Sequence, residues 1–208
     1  MRHVGTRHAQ PAYLEAFTVI VSRIEQSLKA AGTKPREPVR MFVAGGAALH
    51  FYTGARISED IDATFSKRVI LPRDLEVAYR DGDGSPRLLY FDRQDNDTLG
   101  LLHEDADTNS IPLDLDRIDR KVIDVRLLSP VDLAVSKLSR FEGQDQDDIR
   151  ALAAAGLLKV AEFRRRAEEA LAAYVGASDR VQLSIKLASK LISQAAPSDS
   201  SPRRAKHR

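Results

Sequence analysis

The 208-residue chain contains no cysteine, which excludes disulfide bridges and thiolate-bound metal sites. It also lacks any apolar run approaching the roughly 20 residues needed to cross a bilayer. Its start, MRHVGTRHAQPAYLEAF, has no apolar segment of signal-peptide length. These absences lead us to expect a protein of the reducing cytoplasm with no membrane partner. Neither sign of charge dominates, the net charge being +2, and no internal repeat is visible. What remains is an ordinary globular composition, 43% hydrophobic and 30% charged, in a chain long enough to bury a core as one domain or as one domain with a small appendage.

The charge is unevenly spread. Residues 81–107 hold eight Asp or Glu against two Arg, whereas residues 160–208 hold ten Lys or Arg against five acids. This basic stretch could attract a polyanion such as RNA. FRRRAEEALAAY also reads as a solvated helix face with charge pairs four residues apart. The five histidines, His3, His8, His50, His103 and His207, show no paired metal-ligand spacing apart from the loose terminal ones. DGDGSPRLLYFD imitates a calcium loop in its first, third and twelfth positions, but proline replaces the required glycine.

Residues 11–31 carry Leu14, Phe17, Ile20, Val21, Ile24 and Leu28 at helical spacing. VRMFVAG then reads as a buried strand, GAALHFYTG as a helix between Gly46 and Gly54, and Ile61–Phe65 as a second strand. LPRDLEVAYRDGDG suggests a short helix closed by a turn. RLLYFD, TLGLLHE, SIPLDL and KVIDVRLL are strand candidates. Helices return in SPVDLAVSKLSRF, DQDDIRALAAAGLL, LKVAEFRRRAEEALAAYV and SDRVQLSIKLASKLI. The order predicts an α+β fold: an α/β region over residues 1–128, a helical region over 129–193 packed beside it, and a disordered basic tail over 194–208.

Asp60 and Asp62 stand out within this frame. On an extended strand they share a face with Thr64, with their Cα atoms about 7 Å apart, while Ile61, Ala63 and Phe65 take the other. Paired carboxylates repel unless a cation lies between them, and magnesium accepts such hard oxygen ligands together with substrate phosphates. A wet strand face would also carry two aspartates. VAGGAAL, however, sets Gly45 and Gly46 between a strand and a helix, where backbone amides can approach a phosphate.

With 14 positions from Gly46 to Asp60, the glycine loop and the D-I-D strand together resemble the nucleotidyltransferase superfamily that includes DNA polymerase beta. The resemblance implies that Gly45 and Gly46 hold a nucleotide triphosphate and that Asp60 and Asp62 bind Mg²⁺ or Mn²⁺. Glycine stands where the family usually has serine, as in the toxin branches.

Helical phase supplies a second cluster. Counted from Ser129, Lys137 falls inside the apolar arc of Leu133 and Phe141, where it either snorkels outward or points inward to meet an anion. On the following helix Asp145 and Asp148 share the inward arc with Ile149 and Leu152, while Asp147 faces away. The cluster is a buried ion pair or a functional site. LSPVDLAVSKLSRFEGQDQDDIRAL and RISEDID resemble the motifs of bacterial nucleotidyltransferases of the abortive-infection and toxin–antitoxin type, over roughly residues 40–155.

That resemblance implies that Ser58, Asp60 and Asp62 form the metal and nucleotide site. Lys137 would then reach the phosphates, Asp148 would complete the active centre, and Arg56 would neutralise phosphate charge. Gln144 replaces a lysine frequent in the family. A third acidic ligand is expected from Asp114, which shares a face with Asp116, or from Asp124, with Asp114 preferred. The implied reaction is NMP transfer from an NTP such as ATP, releasing pyrophosphate, to an RNA end of the tRNA type or to a protein hydroxyl. The implied partner is a cognate antitoxin. Two other readings compete: a nucleic-acid-binding module built on residues 129–157, whose second helix opens with acids unsuited to phosphate, and a non-catalytic relative serving as antitoxin or partner.

Overall fold

The computed structural model describes residues 6–31, 37–93 and 100–197. Pro11 at the first helical position opens α1 (Pro11–Ala30), which buries Tyr13, Phe17, Ile20, Val21 and Ile24 along one stripe. β1 (Val39–Val43) runs through Ala44 into α2 (Gly45–Thr53), and Gly54 closes that helix in the left-handed conformation, φ 67°. β2 (Asp60–Ile61), β3 (Ala63–Phe65), β4 (Glu76–Arg80) and β5 (Pro86–Phe91) follow. A short α3 (Ala106–Asn109), β6 (Ile111–Pro112) and β7 (Ile123–Leu127) lead into four helices. These are α4 (Pro130–Ser136), α5 (Gly143–Ala154), α6 (Val160–Ala172) and α7 (Ser178–Ala195).

The strands form two sheets, one of four strands in the order β3-β1-β7-β6 and one of three in the order β2-β5-β4. β1 lies parallel to β7 and antiparallel to β3. α1 packs on β4 and β5, and α2 packs against β2, α4 and α5. Phe17 meets Phe51 with ring centroids 4.9 Å apart, and Tyr13 meets His50 at 4.5 Å, so aromatic contacts tie α1 to α2. The architecture is the expected α+β class. Among the described residues no helix is long and apolar enough to cross a membrane.

Several elements differ from the sequence expectation. The stretch expected as a helix at LPRDLEVAYRDGDG holds β4 instead: Val77 and Tyr79 are partly buried between exposed Glu76, Ala78 and Arg80. That alternation has the period of a strand, and the Asp81–Ser85 turn folds it onto β5. The strand expected at Ile61–Phe65 is divided, since Asp60 and Ile61 pair with β5 whereas Ala63 to Phe65 pair with β1. Of TLGLLHE, residues 98–99 lie outside the described residues, and Gly100–His103 form no strand. The tail expected from residue 194 begins inside α7, and residues 198–208 lie outside the described residues.

Ser129 caps α4: its Oγ accepts from the Asp132 amide at 3.2 Å and donates to Asp132 Oδ2 at 2.6 Å. Arg166 on α6 clasps the same carboxylate through Nε at 2.7 Å and Nη2 at 3.2 Å. Asp132 is fully buried, so its partner would be left as an uncompensated charge without it. Asp132→Ala is expected to lower unfolding free energy by about 3 kcal/mol, and Arg166→Met together with Asp132→Leu by much less, as read by urea titration.

Candidate functional site

The two glycines of the β1–α2 junction differ in what they allow. Gly45 has φ 56°, a conformation side-chain-bearing residues rarely adopt, and a Cβ there would collide with the Asp62 carboxylate. A Cβ on Gly46 would fall 2.5 Å from Ser58 Oγ and 2.8 Å from Arg56 Nη1. The glycines therefore let the Arg56–Asp62 segment lie directly against the start of α2. Ala44, the residue before the helix, offers no side chain to cap it, and the Ala44 amide donates to Asp62 O at 2.9 Å. Unsatisfied first-turn amides with their share of the helix dipole thus stand beside a carboxylate pair.

Ser58 Oγ donates to Asp60 Oδ1 at 2.5 Å, which fixes the first carboxylate. Neither Asp60 nor Asp62 forms a salt bridge among the described residues. Burial pushes the Asp62 carboxyl above the usual carboxylate range, and the charges of Asp60 and then Asp92 push it further, while Lys137 and Arg140 pull it back. Asp92 follows β5. Its amide donates to Ile61 O at 3.2 Å, which brings it level with Asp62 across the β2–β5 pair.

Behind the pair lies a ladder of alternating charges. Arg56 grips Asp148 with Nε at 2.9 Å and Nη2 at 3.0 Å, and Lys137 Nζ meets Asp148 Oδ2 at 2.6 Å and Asp145 Oδ1 at 3.7 Å. Arg140 holds Asp145 with two bonds of 2.8 Å. The Gln144 amide, with its oxygen turned toward Arg56, accepts from Nη1 and Nη2 at 3.0 Å each. Asp145, Asp148 and Lys137 are buried, whereas the Arg140 side chain is 61% exposed. Lys137 thus points inward, past the end of α4. His50 completes the support: its Nε2 accepts from the Gln10 amide at 3.1 Å, so its Nδ1 carries the proton donated to Arg56 O at 2.7 Å. Burial lowers the His50 pKa, outweighing the bond to Arg56 O, which agrees with a neutral ring.

The structure thus gathers Gly45, Gly46, Arg56, Ser58, Asp60, Asp62, Lys137 and Asp148 around the start of α2. It does not bring Asp114 there. Asp114 pairs with Arg120 at 3.1 Å, and Arg120 also holds Asp124 at 3.1 Å. The register sets Asp124 opposite Arg40, at the other end of β1 from Gly45. Sequence reasoning missed Asp92, Arg140 and His50. Asp92 was visible as the last residue of RLLYFD, and Arg140 as the last of KLSR, but the pairing of β5 with β2 was not.

A family model described as "Nucleotidyltransferase of unknown function (DUF6036)" matches residues 20–190. The chain belongs to this nucleotidyltransferase family. No curated protein and no solved structure matches it. Every site residue named so far, apart from Gln10, falls inside the matched span.

Two tests follow from the electrostatics. Asp62→Asn removes a carboxylate held close to two others and is expected to raise stability at neutral pH by about 1 kcal/mol in urea titration. Burial acts to raise Asp145, but bonds from Arg140 and the Glu142 amide, with the Lys137 charge, hold its carboxyl below the ordinary range. A depressed carboxylate pKa stabilises the fold at neutral pH, and this contribution is lost as pH falls through the folded-state value. Arg140→Gln should therefore cost under about 1 kcal/mol at pH 7, given its exposure, and flatten the fall in stability below about pH 4.

Proposed function

We propose that this protein is a Mg²⁺-dependent nucleotidyltransferase that moves an NMP from an NTP to a hydroxyl acceptor, an RNA end of the tRNA type or a protein hydroxyl, and releases pyrophosphate. The observation that carries the reading is the pair Asp60 and Asp62, neither of which forms a salt bridge among the described residues, set against the glycine-opened start of α2. The donor set suits magnesium or manganese, because the ligands are hard oxygens whose mutual repulsion a divalent cation relieves. Among the described residues no group of three or more acidic or histidine side chains could hold a metal ion. The cation would therefore rest on two carboxylates, with water and substrate phosphates completing its coordination.

Asp60 and Asp62 would hold the cation, and the Asp92 charge beside Asp62 would add to the negative field that attracts it without supplying a third ligand. When bound, the cation supplies charge neutralisation at the reacting phosphate. The first-turn amides of α2 bind phosphate oxygens. Lys137 and Arg140 offset charge on the departing pyrophosphate, and Asp148 positions Lys137 and Arg56 without touching substrate. The acceptor oxygen bonds to the α-phosphorus, the bond from that phosphorus to the bridging oxygen breaks, and the acceptor proton passes to a carboxylate of the site.

The role of toxin, with a cognate antitoxin as partner, rests on the likeness of RISEDID and KLSRFEGQDQDDI to the abortive-infection branch. Toxicity is measured separately, since an enzyme can transfer nucleotides without harming its cell.

Incubation with each labelled NTP, Mg²⁺ and total tRNA or cell protein is expected to label one acceptor. Labelling should be lost on chelation and fall at least about a hundredfold in Asp60→Ala/Asp62→Ala. Failure with every NTP, or equal labelling by the double variant, would sink the assignment.

A further inference from the structure

The outward face of the three-stranded sheet continues from the carboxylates. Along β5, Leu89 and Phe91 are buried, while Leu88 and Tyr90 are 43% and 39% exposed. The register pairs Tyr90 with Asp60 on one side and with Glu76 on the other, and pairs Leu88 with Ala78 and Pro86 with Arg80. Paired residues share a face and alternate residues return to it. Asp92, Tyr90 and Leu88 therefore form a row beside Asp60, with Arg80 diagonally beyond it.

From this arrangement we propose that the row binds the 3′-terminal nucleoside of an RNA acceptor, with the Tyr90 ring stacked on its base and the terminal hydroxyl directed to Asp60. The proposal rests on the nucleotidyl-transfer reading and deepens it. In an in-line displacement the attacking oxygen arrives opposite the leaving pyrophosphate. The cations that would draw the pyrophosphate, Lys137 and Arg140, are held by Asp145 and Asp148 on α5, whereas Tyr90 stands on β5 beside Asp60.

Paired residues on neighbouring strands such as Asp60 and Tyr90 lie roughly 5 Å apart, comparable with the span from a ribose hydroxyl to the base of the same nucleoside. A base has a π-face for Tyr90 and apolar area for Leu88. The hydroxyl of a serine or threonine acceptor brings no such ring. Glu76, opposite Tyr90, can accept from an exocyclic amine, and Arg80 at the far end suits the preceding phosphate.

The test uses the full chain, a 5′-labelled single-stranded RNA oligonucleotide with a free 3′ hydroxyl, and fluorescence anisotropy in Mg²⁺. Tyr90→Ala is expected to weaken RNA binding about tenfold, Tyr90→Phe to stay within about twofold of the wild type, and Leu88→Ser to weaken it about threefold. The thermal shift produced by NTP and Mg²⁺ should be the same in all four proteins. Leu88→Ser carries the test should Tyr90→Ala fail to fold. Equal affinity of the wild type and a folded Tyr90→Ala or Leu88→Ser would overturn the proposal, as would loss of the NTP shift along with RNA binding, which would put the ring under the incoming nucleotide. A wild type that labels protein but does not bind the RNA would assign the row to a protein acceptor and overturn it as well. Tyrosine-dependent RNA binding without any NTP shift or transfer would keep the RNA site and remove the transfer reading instead.

Discussion

The contact on which the site depends is steric: the Asp62 carboxylate occupies the space where a side chain on Gly45 would stand. A residue with φ 56° and no room for Cβ can only be glycine at acceptable cost. Because that place is open, the chain leaving β2 passes directly over the start of α2, and the Ala44 amide bonds to Asp62 O. Both the closeness of the carboxylates to the helix start and the division of their strand between two sheets follow from this packing.

The charges behind the pair are arranged around Asp148 and Asp145, which are almost fully buried and each bonded to cations from other parts of the chain. A buried carboxylate without a partner is expensive, so these two aspartates hold Arg56, Lys137 and Arg140 in place. Gln144 fits the same logic. A neutral amide that accepts from Arg56 satisfies the guanidinium without adding another cation to a site that already has several. His50 anchors the same arginine through its backbone, tying α1 and α2 to one loop.

Much of this was legible in the residues. Helical phase put Asp145 and Asp148 inward and Asp147 outward and set Lys137 within the apolar arc, but an amine on a long methylene stem can leave such an arc, so its inward direction was not fixed. The glycines before the first aspartate marked the turn from β1 into α2, and the order of elements marked the α+β class. Strand pairing was not legible. Asp114 and Asp92 both end short apolar runs, and only the register shows that β5 adjoins β2 while Asp114 lies with Arg120 and Asp124. β4 was misjudged for a related reason: five residues of alternating burial are too few to outweigh a helical spacing when the partner strand is unknown.

The division of the D-I-D segment has a mechanical meaning. Asp60 belongs to the sheet of β5 and β4, while the residues just after Asp62 belong to the sheet of β1 and β7. The two sheets are coupled here through one or two peptide units, and those units carry the acidic side chains. Shear between the sheets would change the carboxylate spacing, and an ion held by both side chains, as proposed, would act as a rivet across the seam.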